Sequence, residues 1–204
     1  MKDLISRFGQ THKIRSMSVD TNVISDVIPY VQYSNRRKPL SKEESKLYFE
    51  RCKQSVHSLA IGLSFKVNLF GTPTVRRELR RRPGLIELYN RFFYGGTLQI
   101  DKNTRNLAKM YCDEVNLDIA DAFILATISL NRVDLFLSWN RQDIVNINNV
   151  QKVSLINRKK RIPLPVLATP KEFLERVFLT DKQTIGITDR PIPEGLRLQS
   201  FPSR

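Results

Sequence analysis

An α/β domain, layered as an α/β/α sandwich around a mostly parallel sheet, is the architecture this sequence predicts, and three observations predict it. Short continuous apolar runs bounded by charge, such as Leu135-Phe136-Leu137, suit strands covered on both faces. Segments with helical period and recognisable caps lie between those runs. One of them, Asp118 to Leu130, is apolar nearly all round, as a helix buried against a sheet should be.

In chain order, residues 1–15 form a polar, basic N-terminal extension, and Met17-Ser18-Val19 opens the domain as a short buried strand. Asp20 stands at that strand's end, in an Asp-Thr-Asn turn followed by Val23 and Ile24. A charged loop runs over 33–39. Ser41 and Glu44 then form a capping box for a helix whose predicted apolar face is Tyr48, Cys52, Val56, Leu59 and Leu63. Lys66 to Phe70 alternates like a strand. Thr72 as N-cap and Pro73 at the first helical position start the helix that contains Glu78. After Gly84 come a helical turn or two at Leu85–Tyr89, a strand at Thr97–Ile100, and a helix from Thr104 to Val115. The body closes with strands at Leu135–Leu137 and Pro163–Ala168 and a capping box, Thr169 to Glu172, opening a helix to about Leu179. Residues 180–204 carry prolines without periodic apolar positions and read as an extended tail.

Composition narrows the function. The 204 residues fit one well-cored domain, and 41% apolar with 26% charged residues is ordinary for a globular chain. No stretch has the roughly 18–20 apolar residues of a membrane span, and the first residues lack a secretory apolar region, so a cytoplasmic protein without membrane partners is expected. Cys52 and Cys112 stand alone inside helical segments and read as buried thiols rather than zinc ligands. A formal charge of +14, from 34 Lys plus Arg against 20 Asp plus Glu, favours a polyanionic partner, and RNA or DNA is the commonest one. No G-x-S-x-G and no P-loop motif occurs, and position 22, where an aspartyl phosphotransferase would want a second Asp, is Asn22. His12 and His57, the only histidines, flank none of the acidic positions and read as structural or surface residues.

Against this basic background a sparse acidic set stands out. Asp20, Glu78, Asp121 and Asn140 fall beside predicted strand ends and helix starts, where α/β folds gather their sites. Hard oxygen donors of this kind suit Mg²⁺ or Mn²⁺, with Asp20, Glu78 and Asp121 as metal ligands. Asp118 is explained by N-capping, whereas Asp121, one turn further on, is not needed for the cap. A metal site and simple turn, cap and surface roles both remain open on spacing alone.

Four ordered segments go further: Ser18 to Ile24, Val75 to Leu79, Ile119 to Thr127, and Leu135 to Asn146. Together they resemble the PIN-domain nucleases, with VapC-like toxins and their relatives the nearest look, over roughly residues 16–179. Val166 to Leu174 is also similar to that family's last strand and helix. The resemblance implies a PIN-like fold and a metal-dependent endoribonuclease, typically dimeric, acting through a metal-activated water with Mg²⁺ or Mn²⁺ as cofactor. It implies Asp20, Glu78 and Asp121 as ligands, Asn140 at a fourth position where many relatives carry Asp, and Asn22 and Asp143 as accessory residues. A toxin role would add a cognate antitoxin. Residues 33–64 look like an insertion relative to compact members of the family. A catalytically weak RNA-binding module, and an RNA-processing or DNA-acting nuclease outside a toxin pair, are the alternatives.

Three basic runs are candidate nucleic-acid contacts: Arg36 and Arg37; Arg76, Arg77 and Arg80 around Glu78; and Lys159 and Lys160. Tyr33, Phe92, Phe93 and Tyr94 are weighed as base-stacking residues against plain core positions, and the core is favoured.

Overall fold

The computed structural model describes residues 14–27 and 41–176. The basic extension before residue 14, His12, Tyr33, Arg36, Arg37 and the 180–204 tail lie outside the described residues.

Strand β1 (Ser16–Val19) leads into helix α1 (Thr21–Val27), and α2 (Lys42–Ser64) precedes the two-residue β2 (Asn68–Leu69). Four helices follow, α3 (Pro73–Leu79), α4 (Pro83–Phe92), α5 (Lys102–Met110) and α6 (Ile119–Leu130). Then come β3 (Leu135–Leu137), α7 (Ile147–Lys160) and β4 (Val166–Ala168), with residues 170–176 again helical. The four strands are all parallel, in the order β2-β1-β3-β4. Every residue of β3 is buried, as are the last three of β1, so helices cover both faces of the sheet centre.

That order fixes where a site can form. From β1 the chain moves outward to β2, then crosses to β3 on the other side of β1, so the winding reverses between β1 and β3. A crevice opens at the carboxyl ends of strands at such a point. Register is pinned at the opposite end by Asp134, whose carboxylate accepts from the Arg15 and Ser16 amides at 2.9 and 3.0 Å and from the Ser16 hydroxyl at 2.9 Å. Val19 therefore pairs with Leu137, and the next residues, Asp20 and Ser138, emerge side by side.

Local sequence explains most of the helices. Ser41 accepts from the Glu44 amide at 3.2 Å while Glu44 accepts from the Ser41 amide at 2.8 Å, completing the expected capping box. The buried stripe of α2 is Tyr48, Cys52, Ser55, Ser58, Leu59 and Gly62, with Val56 and Leu63 only half-buried, a rotation from the predicted face. Gly62 lies close to β1, where an added Cβ would come 2.6 Å from the flexible end of Met17, its Cε. Thr72 caps α3 by accepting from Val75 N at 3.2 Å.

Four readings change. Asp-Thr-Asn is a helix start rather than a turn, because the Asp20 carbonyl accepts from Val23 N at 3.1 Å and Ile24 N at 3.3 Å. Thr97–Ile100 forms only one parallel bridge, Gly71 to Thr97, at the sheet edge beside β2. Asp101 starts α5 with its own capping box to Thr104, and the helix ends in a π-helical turn, Tyr111–Val115, closed by Asn116 at φ 65°. Helix α7 was not expected, since its apolar residues are sparse; Asn146 nucleates it by accepting from Asn148 N and Asn149 N. Cys52 is buried as expected but Cys112 only partly, and His57 is half-buried on α2. Phe93 belongs to the core, Phe92 is half-buried, and the Tyr94 hydroxyl donates to Val67 O at 2.6 Å.

Candidate functional site

Asp20 leaves the end of β1 almost wholly buried, 6% exposed. Its Oδ1 accepts from Thr21 N at 2.7 Å, and its Oδ2 accepts from Asn22 Nδ2 and from the Ser138 hydroxyl, each at 2.7 Å. Burial pushes its carboxyl pKa up. The bonds from Ser138, Thr21 and Asn22 oppose that rise, while the charge of Glu78 adds to it. A buried carboxylate held by three donors is fixed in place.

The other acidic residues are brought to the same crevice by different elements. Glu78 lies on α3, which packs against both α1 and α6, and its Oε2 accepts a hydrogen bond from the Thr21 hydroxyl. Asp121 sits in the first turn of α6, after Asp118 has capped that helix by accepting from Ala120 N at 2.8 Å. Asn140 follows β3 and donates from Nδ2 to Asp121 Oδ2 at 2.9 Å. Its backbone N–H donates to the Ser138 hydroxyl at 2.9 Å, and its side-chain oxygen accepts from Asp143 N at 3.1 Å. One hydrogen-bonded path thus runs Asp121, Asn140, Ser138, Asp20, Thr21, Glu78.

Electrostatics shows how crowded the negative charge is. Asp121 has its pKa pushed up to about 7, first by burial and then by the charges of Asp20, Asp143, Asp118 and Glu78. None of Asp20, Glu78 and Asp121 has an ion-pair partner among the described residues. At the same time, no group of three or more His, Cys, Asp or Glu side chains among the described residues could hold a metal ion as placed. Asn140 and Thr21 stand as hydrogen-bonded bridges between the carboxylates. The donor chemistry still suits a hard divalent cation, because the set is all oxygen, with Asp20 buried, Asp121 half-buried and Glu78 exposed, and among the described residues Asp121 Oδ1 and Glu78 Oε1 accept no hydrogen bond.

The predicted residues separate into two groups. Asp20, Asn22, Glu78, Asp121, Asn140 and Asp143 converge at the β1/β3 switch point, with Asp118 at its margin as a cap. Arg76, Arg77 and Arg80 line a cleft with Pro73 and Thr97 on the neighbouring side of α3. Lys159 and Lys160 lie in the last turn of α7, which starts beside the crevice and runs about 20 Å away from it. Ser138 was missed by sequence reasoning. A hydroxyl directly after β3 neighbours Asp20 only in the register that pairs Val19 with Leu137, which the sequence alone does not signal.

Compared with protein-family models, curated proteins and solved structures, the chain matches none of them.

Proposed function

We propose that this chain is a Mg²⁺- or Mn²⁺-dependent endoribonuclease hydrolysing RNA phosphodiester bonds on a PIN-like α/β/α sandwich, with Asp20, Glu78 and Asp121 as metal ligands and Asn140 assisting. The observation that carries this reading is the gathering, at one switch point, of carboxylates from the end of β1, α3 and α6 that have no ion-pair partner among the described residues, in a chain of charge +14. A folded protein leaves such charge unpaired at a cost, which a cation offsets. The bound cation would supply charge stabilisation at phosphate oxygens and a more acidic water. Asp20 is held by its three donors, so its position is set before any ligand arrives. Asn140 orients the Asp121 carboxylate by donating to its Oδ2.

The arginines of α3 would hold substrate phosphates away from the carboxylates, and Lys159 and Lys160 would meet a longer strand at the far end of α7. A cytoplasmic toxin role, with a covering antitoxin and a homodimer, belongs to the same reading. In the described residues no helix is long and apolar enough to cross a membrane. One observation favours a second reading, a weakly catalytic RNA-binding module: the residue bridging Asp121 and Ser138 is an amide, Asn140, which adds no charge for a second metal.

Single-stranded RNA incubated with the protein in Mg²⁺, Mn²⁺ or chelator tests the proposal. Cleavage should require metal and vanish in Asp20→Asn. RNA retention without cleavage would favour the binding module, and equal cleavage by the variant or in chelator overturns the metal-dependent reading.

A further inference from the structure

Helix α3 has two chemically opposite faces. At about 100° per residue, Arg76 and Arg80 project within about 40° of each other and Arg77 lies about 60° beyond Arg80, whereas Glu78 points some 150° from their mean direction. Glu78 is tied to Thr21 in the acidic crevice. The three arginines instead line a separate cleft of about 340 Å³, completed by Pro73 and Thr97. This is at the small end of the volumes that hold small ligands. Tyr89 lies beside this wall: burial pushes its phenol pKa up, with Thr97 and Arg76 pulling it back down.

Three observations say what the cleft takes. None of the three guanidinium groups forms a salt bridge with a described residue, although Arg91 and Arg141 elsewhere both do. All three side chains are exposed, so their donors are available without rearrangement. All three also line the same concavity, together with Pro73 and Thr97. A phosphodiester offers one negative charge and is served by a stripe. A terminal phosphate carries about −1.5 to −2 at neutral pH, presents three acceptor oxygens, and suits several guanidinium groups gathered at one cleft.

We infer that the Arg76, Arg77 and Arg80 cleft is a subsite for a nucleotide's terminal 5′-phosphate, separate from the acidic crevice. The inference rests on the reading of the chain as an RNA-handling protein for the identity of its ligand, but not on cleavage. The cleft has room for about one nucleotide, so recognition falls on the phosphate and the first sugar. In the nuclease reading it would hold the end of a strand whose scissile bond lies on the other side of α3.

Calorimetry with adenosine 5′-monophosphate and with adenosine, in chelator, tests the subsite. A pair of six-nucleotide RNAs differing only in a 5′-phosphate extends it to strand ends. The phosphate should tighten binding of both probes by about tenfold or more, the scale of one charge-assisted contact. That preference should be lost in Arg77→Ala and in the Arg76→Ala/Arg80→Ala pair, and kept in Asp20→Asn. These arginines are exposed, so their variants should fold, and unchanged thermal melting checks that they have. Equal binding with and without the phosphate, or a preference that survives in the arginine variants, overturns the subsite. Absence of RNA cleavage alongside an intact phosphate preference would instead overturn the nuclease reading and leave the subsite standing.

Discussion

The Asn140 side-chain amide donates to Asp121 Oδ2 at 2.9 Å, bridging the end of β3 to the first turn of α6. Replacing it by a carboxylate sets two like charges at hydrogen-bond distance in a partly desolvated site. Asn140→Asp should therefore lower stability in chelator at pH 7.5 by roughly 1–3 kcal/mol. Millimolar Mg²⁺ should restore more of the melting temperature in the variant than in the wild type. Thermal melts with and without Mg²⁺ read both effects, and identical melting in chelator would show that the two side chains do not meet.

Asp121 gives the fold a pH dependence of definite sign. Its carboxyl pKa is pushed up to about 7, whereas in the unfolded chain it returns to about 3.9. Between those values the folded chain holds a proton that the unfolded chain has released. The stabilisation is complete below about pH 4 and is lost as pH rises through about 7, by an amount on the order of a few kcal/mol. Asp20, also raised by burial, adds in the same direction. The difference in melting temperature, Asp121→Asn minus wild type in chelator, should grow from pH 4 to pH 8. A flat difference would mean that Asp121 ionises as freely as in the unfolded chain.

Two serines, Ser18 on β1 and Ser138 directly after β3, should respond to alanine with opposite signs. Ser138 is fully buried, donates to Asp20 at 2.7 Å and accepts from Asn140 N at 2.9 Å, so Ser138→Ala leaves two polar groups short of a partner. Its expected cost is about 1–3 kcal/mol. Ser18 is also fully buried on β1, and its hydroxyl has no hydrogen-bond partner among the described residues. Ser18→Ala should be neutral or stabilise by up to about 1 kcal/mol. Urea unfolding of both variants checks the pair, and similar losses in the two would remove the distinction.

What the sequence disclosed follows the range of the interactions involved. The Ser41–Glu44 box and the Thr72 cap are settled within four residues, and both were readable. Asp20, Glu78, Asp121 and Asn140 were readable as a set because each stands at an element's end. What joins them was not. Ser138 beside Asp20, and Asp134 holding Ser16, depend on which strands pair and in what register, a choice made about 118 residues apart in the chain. Helix α7 escaped because only Val153 and Ile156 among its apolar side chains are buried, so its period is faint. The segregation of Arg76, Arg77 and Arg80 from Glu78 follows from helical geometry, but the cleft they line needs Thr97, brought in by the Gly71 bridge.

Helix α2 braces the crevice through a chain of polar contacts that can be measured as one unit. Arg51 Nε pairs with the buried Asp26 at 2.6 Å, and its guanidinium lies 5.2 Å from the centre of the Trp139 ring. Trp139 Nε1 donates to Ser55 Oγ at 2.9 Å, and Ser55 donates onward to Asp26 at 3.5 Å. The Trp139 backbone N–H donates to Asn22 Oδ1 at 3.1 Å, and Asn22 in turn holds Asp20. Arg51 is 42% exposed on its side chain, so its pairing is partly screened, and Arg51→Ala should cost about 1–3 kcal/mol rather than the full penalty of a broken buried pair. Because the ring and the guanidinium touch, Arg51→Ala and Trp139→Phe should be non-additive by at least about 0.5 kcal/mol in a urea double-mutant cycle. Arg51→Lys should recover only part of the loss, since an ammonium cannot pair with Asp26 and stack on Trp139 with one planar group. Strict additivity would mean that α2 packs beside the crevice without bracing it.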